Sequence, residues 1–291
     1  MKHFLEKRVF MEQEMNYGRD FKYIPATSIR SGTGKTGLPD IYVHTIQIVN
    51  IVLYGEKDQE AFVLIDAGMP NSAQEIISVA EKRFGPNCRP HAIVLTHGHF
   101  DHIGAIIELI THWNVPVYAH PLELPYLTGQ MDYPKPDPLV TGGLIAKLSS
   151  FFPNAATNLG THIRPLPDDG TVPFMPDFRW IHTPGHTPGH TSFYRALDGT
   201  LLAGDAFVTV KQESLYNVLT QKKEMNGPPK YFTTDWAAAL HSVKTLQDLK
   251  PTVAITGHGF PMMGEELTAS LDKLVNEFDQ LALPKKGKYL N

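Results

Sequence analysis

The sequence predicts an α/β protein built as one domain, and three observations carry that prediction. Strand-like and helix-like runs alternate between residues 41 and 119, the pattern of a sheet covered by helices. The chain beyond residue 170 repeats a similar β-then-α content, with no polar linker between the halves. Of the 291 residues, 42% are hydrophobic and 19% charged, which suits a buried core and rules out a disordered chain, a coiled coil or a fibre.

The elements follow in order. Phe4, Leu5, Val9 and Met15 give a ragged helical stripe, so residues 1–39 are expected as an N-terminal arm lying on the body or on a partner subunit. Within them Ser31 to Gly37 (SGTGKTG) reads as a glycine-rich loop. A phosphate-binding loop would need a preceding strand and a glycine at position 29, where Ile29 stands, so nucleotide binding is not expected there. Ile41 to Tyr54 is rich in β-branched residues, and Ala61 to Ile65 is a second strand-like run ending at Asp66-Ala67-Gly68. Ser72 with Glu75 three residues later reads as a capping box opening a helix to about Phe84. Ala92 to Leu95 is a short buried strand, Ile103, Ile106, Ile107 and Ile110 mark an amphipathic helix, and Val115 to Ala119 is strand again.

Two long irregular segments, 122–170 and 207–234, are expected to cover a site, since connections of that length in a compact protein usually carry function. Strands resume at Phe178 to His182, Thr191 to Arg195, Thr200 to Ala203 and Val253 to Thr256. One helix turns Trp236, Leu240, Val243 and Leu246 to a single face, and a last helix carries Leu267, Leu271, Leu274, Val275 and Phe278 inward. The domain is therefore expected over 40–283, and residues 284–291, with Lys285, Lys286 and Lys288, as a solvated tail.

Composition narrows the function classes. Lys plus Arg is 26 and Asp plus Glu 30, a net charge of −4 that disfavours a protein gripping nucleic acid through its phosphates. The single cysteine, Cys88, cannot form an intrachain disulfide, and it excludes the common structural zinc sites with two or more thiolates. No run approaches 18 apolar residues, so no spanning helix and no membrane association are expected. The N-terminus carries charges where a signal peptide is apolar, and a cytoplasmic protein is expected.

Histidine, at 14 residues, leads to the chemistry. The run His97-Gly98-His99-Phe100-Asp101-His102 stands between a strand and the isoleucine helix. A pattern HxHxDH arises by composition alone in about two chains per thousand, so it is a signal rather than noise. Residues two apart in an extended turn project to one side, so His97 and His99 can share one metal, while Asp101 and His102 are displaced toward a second. Imidazole and carboxylate without thiolate suit zinc, and also manganese or iron. Further candidate ligands stand at strand ends beside glycines. They are the tandem Thr183-Pro184-Gly185-His186 and Thr187-Pro188-Gly189-His190, in which spacing permits either histidine, then Gly204-Asp205 and Gly257-His258-Gly259.

On these motifs the chain resembles the metallo-β-lactamase superfamily over roughly residues 40 to 282, with Asp66 matching an aspartate at the end of an early strand. The resemblance implies a four-layer αββα sandwich of two mixed sheets flanked by helices, with the site at one edge. It implies two divalent cations: His97, His99 and His186 on one, Asp101, His102 and His258 on the other, and Asp205 bridging them. It favours His186 over His190, and it places Asp66 and His190 behind the ligands as orienting groups.

The implied reaction is hydrolysis by a metal-bridging hydroxide, with Asp101 carrying a proton to the leaving group. The expected substrate is a small molecule with an ester-type bond: a lactone, a thioester or a carboxylic ester. Lactonases of the family carry a tyrosine three residues after the bridging aspartate; Val208 stands there, and Tyr216 or Tyr231 is a candidate replacement. Phe151, Phe152 and Tyr216, with Tyr133 and Phe232, suggest a place for an apolar substrate moiety. Other readings are a mononuclear iron oxidoreductase of the persulfide dioxygenase type, which would leave His258 idle, and a phosphodiesterase or nuclease. Relatives are often dimers, so a homodimer is a further expectation.

Overall fold

Apolar residues at alternate strand positions sort into three layers and thereby build the molecule. The computed structural model describes residues 14–18, 27–59, 62–140 and 143–290. A seven-stranded mixed sheet comprises β1 (Thr33–Leu38), β2 (Ile41–Ile46), β3 (Val49–Tyr54), β4 (Val63–Ile65), β5 (Ala92–Val94), β6 (Val117–Ala119) and β7 (Ile163–Pro165), in that spatial order. Its first four strands pair antiparallel and its last four parallel. A six-stranded mixed sheet holds β8 (Thr171–Val172), β9 (Met175–His182), β10 (Thr191–Arg195), β11 (Thr200–Gly204), β12 (Val253–Thr256) and β13 (Met262–Met263), with only β11 and β12 parallel.

Neighbouring residues in each strand face opposite layers. Val63 and Ile65 point between the sheets, with Val43, Val52, Val94, Phe178, Phe193, Leu202 and Ile255, whereas Leu64 points to the outer layer. There α1 (Ala73–Phe84) and α2 (Ile106–Trp113) bring Ile76, Phe84, Ile106 and Leu109 onto Ile51, Leu53 and Ile93. Two short helices, α3 (Leu124–Leu127) and α4 (Leu144–Leu148), lie in the first covering segment, and α5 (Leu215–Thr220) lies in the second. On the other side α6 (Trp236–Asp248), α7 (Gly264–Asn276) and α8 (Phe278–Leu281) pack Val243, Leu246, Leu267 and Leu271 on Leu201, Ala203 and Ala254. The expected four-layer αββα sandwich is the fold. Among the described residues no helix is long and apolar enough to cross a membrane.

Several local expectations are corrected. The stretch read as a glycine-rich loop within an arm contains β1, paired with β2 from Thr33 opposite Thr45, because the neighbouring strand supplies an order its composition does not. Of the remaining arm, Phe4, Leu5 and Val9 lie outside the described residues. Met15 and Tyr17 pack on the body, where Asn16 pairs with Asn158. The run 41–54 is a hairpin, turning where Gln47 has a positive φ of 57°. Helix α1 has the expected bounds without the capping box: Ser72 Oγ donates to Met69 O at 2.6 Å, and Glu75 pairs with His44. Strand β7 sits inside the segment expected to be irregular, and Phe278 belongs to α8 rather than to α7. The C-terminal residues are not a free tail. The Lys288 ammonium donates to Lys135 O, and Tyr289 OH donates to the same carbonyl at 2.7 Å.

Phe178 is completely buried between the sheets, edge-on to Tyr54 and under the Arg195 guanidinium. Phe178→Ala is expected to lower the unfolding free energy by about 3–5 kcal/mol in denaturant titration. Leu197→Ala, at an 86% exposed position, should change it by less than about 0.5 kcal/mol. Equal effects would contradict this layering.

Candidate metal centre

The turn after β5 carries His97, His99, Asp101 and His102 to the edge where both sheets end. The Ala67 amide donates to His102 O at 2.6 Å, and the His102 amide donates to His99 O at 2.9 Å, which closes the turn. The second sheet brings His186 from the loop after β9, Asp205 from the end of β11 and His258 from the end of β12. Gly257 is required where it stands: a Cβ there would lie 2.2 Å from Asp205 Oδ1.

These seven side chains converge, and each is at least nine-tenths buried. Among the described residues they form three overlapping groups, His97–His99–His186, His97–His102–Asp205 and Asp101–His102–His258. Within each group the ligand atoms lie within 4.8 Å of one another. His99 Nδ1 faces His186 Nε2 at 2.9 Å. Asp205 Oδ2 lies between the ends of the cluster, 3.6 Å from His186 Nε2, 3.6 Å from His102 Nε2 and 3.4 Å from His258 Nε2. His258 Nε2 is also 3.3 Å from Asp101 Oδ2.

Four imidazoles have their outer nitrogen tied down, which fixes the inner one. His97 Nδ1 bonds Thr96 Oγ1 at 3.0 Å, and His102 Nδ1 donates to Asp66 Oδ2 at 2.8 Å. His186 Nδ1 reaches Thr233 Oγ1 at 3.3 Å, and His258 Nδ1 donates to Ile48 O at 2.9 Å. Inside the cluster His97 Nε2, His102 Nε2 and Asp205 Oδ1 are buried without a hydrogen-bond partner. Buried polar atoms are rarely left so. Lone pairs converging from imidazoles and carboxylates fit divalent cations, and the residues present suit the implied metals.

Electrostatics divides the cluster. Burial and the neighbouring imidazoles hold His97 and His186 well below the usual histidine range, and burial with His102 takes His99 down to about 3. At the other end burial also opposes charge, but Asp205 and Asp101 outweigh it and push His258 up to about 10. Burial likewise opposes ionisation of Asp205, yet His258 and His102 keep it well below the carboxylate range. The carboxylates thus favour positive charge at this place, whether a proton or a metal carries it.

The two expected orienting residues stand behind the cluster. Asp66, at a positive φ of 61°, accepts from the Thr96 amide, the Thr96 hydroxyl and His102. His190 is not in the metal-competent groups. Its Nε2 accepts the Asp205 amide at 2.8 Å, and its Nδ1 bonds Thr183 Oγ1 at 2.8 Å. Asn50, which the sequence reading passed over, fastens the His258 loop: its Nδ2 donates to Thr256 O at 2.9 Å and to Gly259 O at 2.8 Å. Its only signal is an amide inside an otherwise apolar strand.

Both covering segments reach the cluster through aromatic rings. Phe232 stacks on His99 at 4.3 Å and Tyr133 lies 4.7 Å from it, ring to ring. Tyr231 is buried beside them, against Phe232 and Phe152. Phe152 stands one ring further out, 6.1 Å from Phe232. Phe151 and Tyr216 are 67% and 70% exposed, and among the described residues neither ring contacts the cluster.

Comparison with known proteins agrees with this architecture. A model described as the metallo-β-lactamase superfamily matches residues 44–258. The chain is 47% identical over 260 residues to YflN of Bacillus subtilis (strain 168), named a probable metallo-hydrolase, covering 89% of this chain and 98% of that protein. It is 30% identical over 211 residues to YybB of the same organism, named likewise, covering 72% and 81%. Among solved structures it is similar to the metallo-β-lactamase family protein TTHA1429 from Thermus thermophilus, with a TM-score of 0.56 and 21% identity over 84% of this chain and 81% of that one. The archaeal superfamily protein ST1585 from Sulfolobus tokodaii gives 0.53 and 20% over 92% and 88%. These structures share the fold, while the matched span takes in every residue of the cluster; the chain belongs to the metallo-β-lactamase superfamily.

Proposed function

We propose that this protein is a metal-dependent hydrolase holding two divalent cations, zinc foremost, and that it cleaves an ester-type bond of a small molecule. The observation that carries the proposal is the set of overlapping ligand groups around Asp205, with unpartnered nitrogen and oxygen atoms turned into it. The names of the two Bacillus relatives support it. His97, His99 and His186 would hold one cation, Asp101, His102 and His258 the other, and Asp205 both. Bound there, divalent cations supply activated water near neutral pH and polarise the oxygen of the bond under attack.

The chain's own residues account for the rest. Asp101 is the most exposed of the seven at 7%, so the cluster meets solvent at a carboxylate able to pass a proton to the leaving group. Phe232, Tyr133 and Phe152 form an apolar wall beside His99, which keeps water from that side and suits an apolar part of a lactone, thioester or carboxylic ester.

Elemental analysis should find two cations per chain. His97→Ala and Asp205→Ala should each lose metal and at least about 100-fold in rate on whichever of a panel of lactones, thioesters, aryl esters, phosphodiesters and β-lactams the native protein turns over. One iron per chain with retained activity would favour the dioxygenase reading instead. Asp66→Ala, which frees His102 Nδ1, should weaken metal binding about 10–100-fold while the far-ultraviolet circular dichroism stays unchanged. Undiminished affinity would show that Asp66 does not orient His102.

A further inference from the structure

Glu123 lies outside the cluster and has no part in the reaction described. It ends the 3-10 turn Pro121–Glu123 after β6 and is fully buried. Its carboxylate accepts four hydrogen bonds from three segments. Oε2 takes the Gly98 amide at 3.0 Å and the Tyr133 hydroxyl; Oε1 takes the Thr187 hydroxyl at 2.7 Å and the Gly189 amide at 2.9 Å. Gly98 stands between His97 and His99, and Thr187 directly follows His186. One side chain therefore fastens both loops that carry the three-histidine group.

The chemistry of these bonds is specific to a carboxylate. Among the described residues no cation pairs with Glu123, so donors alone compensate its burial. Burial pushes its pKa up, and the hydrogen bonds from Tyr133, Thr187, Gly98 and Gly189 pull it back. An ionised carboxylate only accepts and satisfies all four donors together. An amide of the same shape would turn N–H groups toward the donors of one loop. The contact is also close-packed: a Cβ on Gly189 would lie 2.8 Å from Glu123 Cγ.

We propose that Glu123 is a positioning residue for the first cation group, its carboxylate holding the His97–His99 loop and the His186 loop at the separation where three imidazoles converge. This rests on the two-cation reading of the site. Glu123 has no contact with the ligand atoms and acts through the Gly98 and Gly189 amides and the Thr187 and Tyr133 hydroxyls. The second group has its own supports, Asp66 on His102 and Ile48 O on His258, so its affinity is expected to depend far less on Glu123.

The test withdraws zinc from the loaded full chain with a graded chelator series and counts the ions retained. The native protein should lose two zinc ions in two steps. Glu123→Gln should weaken one step about 10–100-fold, the step that His186→Ala abolishes, and leave the His258-dependent step unchanged within about twofold. Thr187→Ala removes one donor, and Tyr133→Phe removes one donor together with an acceptor of the Gly98 amide; each should weaken the same step by less. They decide the matter if Glu123→Gln fails to fold by circular dichroism. Equal weakening of both steps, weakening of the His258-dependent step alone, or no change would overturn the assignment. A native protein that retains only one zinc ion per chain would defeat the two-cation reading; Glu123→Gln is then judged on whether it weakens the binding of that ion.

Discussion

Five imidazoles and two carboxylates taken out of water together cost several kcal/mol for every charge left uncompensated, and the surrounding structure is arranged around that cost. The cluster sits where both sheets end, so its members come from turns anchored in rigid strands. Each turn is then tied by a buried polar group: Asp66 behind the His102 turn, His190 behind Asp205, Asn50 behind His258. Thr96, Asp66, Thr233 and Ile48 O take up the outward ring nitrogens of His97, His102, His186 and His258, and inward atoms are left unsatisfied. A positive charge among those atoms would offset that cost, so the same atoms bear on the chemistry and on the folding.

The cluster is also asymmetric. Neutral imidazoles and aromatic rings dominate at His99, whereas at His258 two carboxylates face the ligand nitrogen. An apolar, aromatic side beside a side with two carboxylates would give a substrate of the proposed kind an orientation, its hydrocarbon part against the rings and its scissile bond toward Asp101. The covering segments that create this difference are bound to one another, the Asp137 amide donating to Tyr231 O at 2.7 Å.

Much of this was legible in the sequence because the informative residues are close along the chain. HxHxDH compresses four members of the cluster into six positions, and strand ends with glycines mark Asp205 and His258. The tandem TPGH was ambiguous by spacing, since the choice between His186 and His190 is made by the fold: one ring faces the cluster and the other the Asp205 amide. Where the reading failed, the cause was long-range. Thr33–Leu38 is a strand because β2 offers it partners, and Ser72 turns back to Met69 while Glu75 finds His44 instead of the helix end. Asn50 bonds carbonyls more than two hundred residues away, and Glu123 meets Gly189 sixty-six residues on. No local pattern announces such partners; only a lone polar residue in an apolar setting hints at them.

The ligands are divided between the halves of the chain: His97, His99, Asp101 and His102 follow β5 of one sheet, and His186, Asp205 and His258 belong to the other. An ion gripped between them works as a rivet through the sandwich. Its occupancy then adds to resistance against unfolding by mass action, about 2.7 kcal/mol at a free concentration one hundred times its dissociation constant. Hydrolytic competence and mechanical integrity would rise and fall together with the supply of that ion.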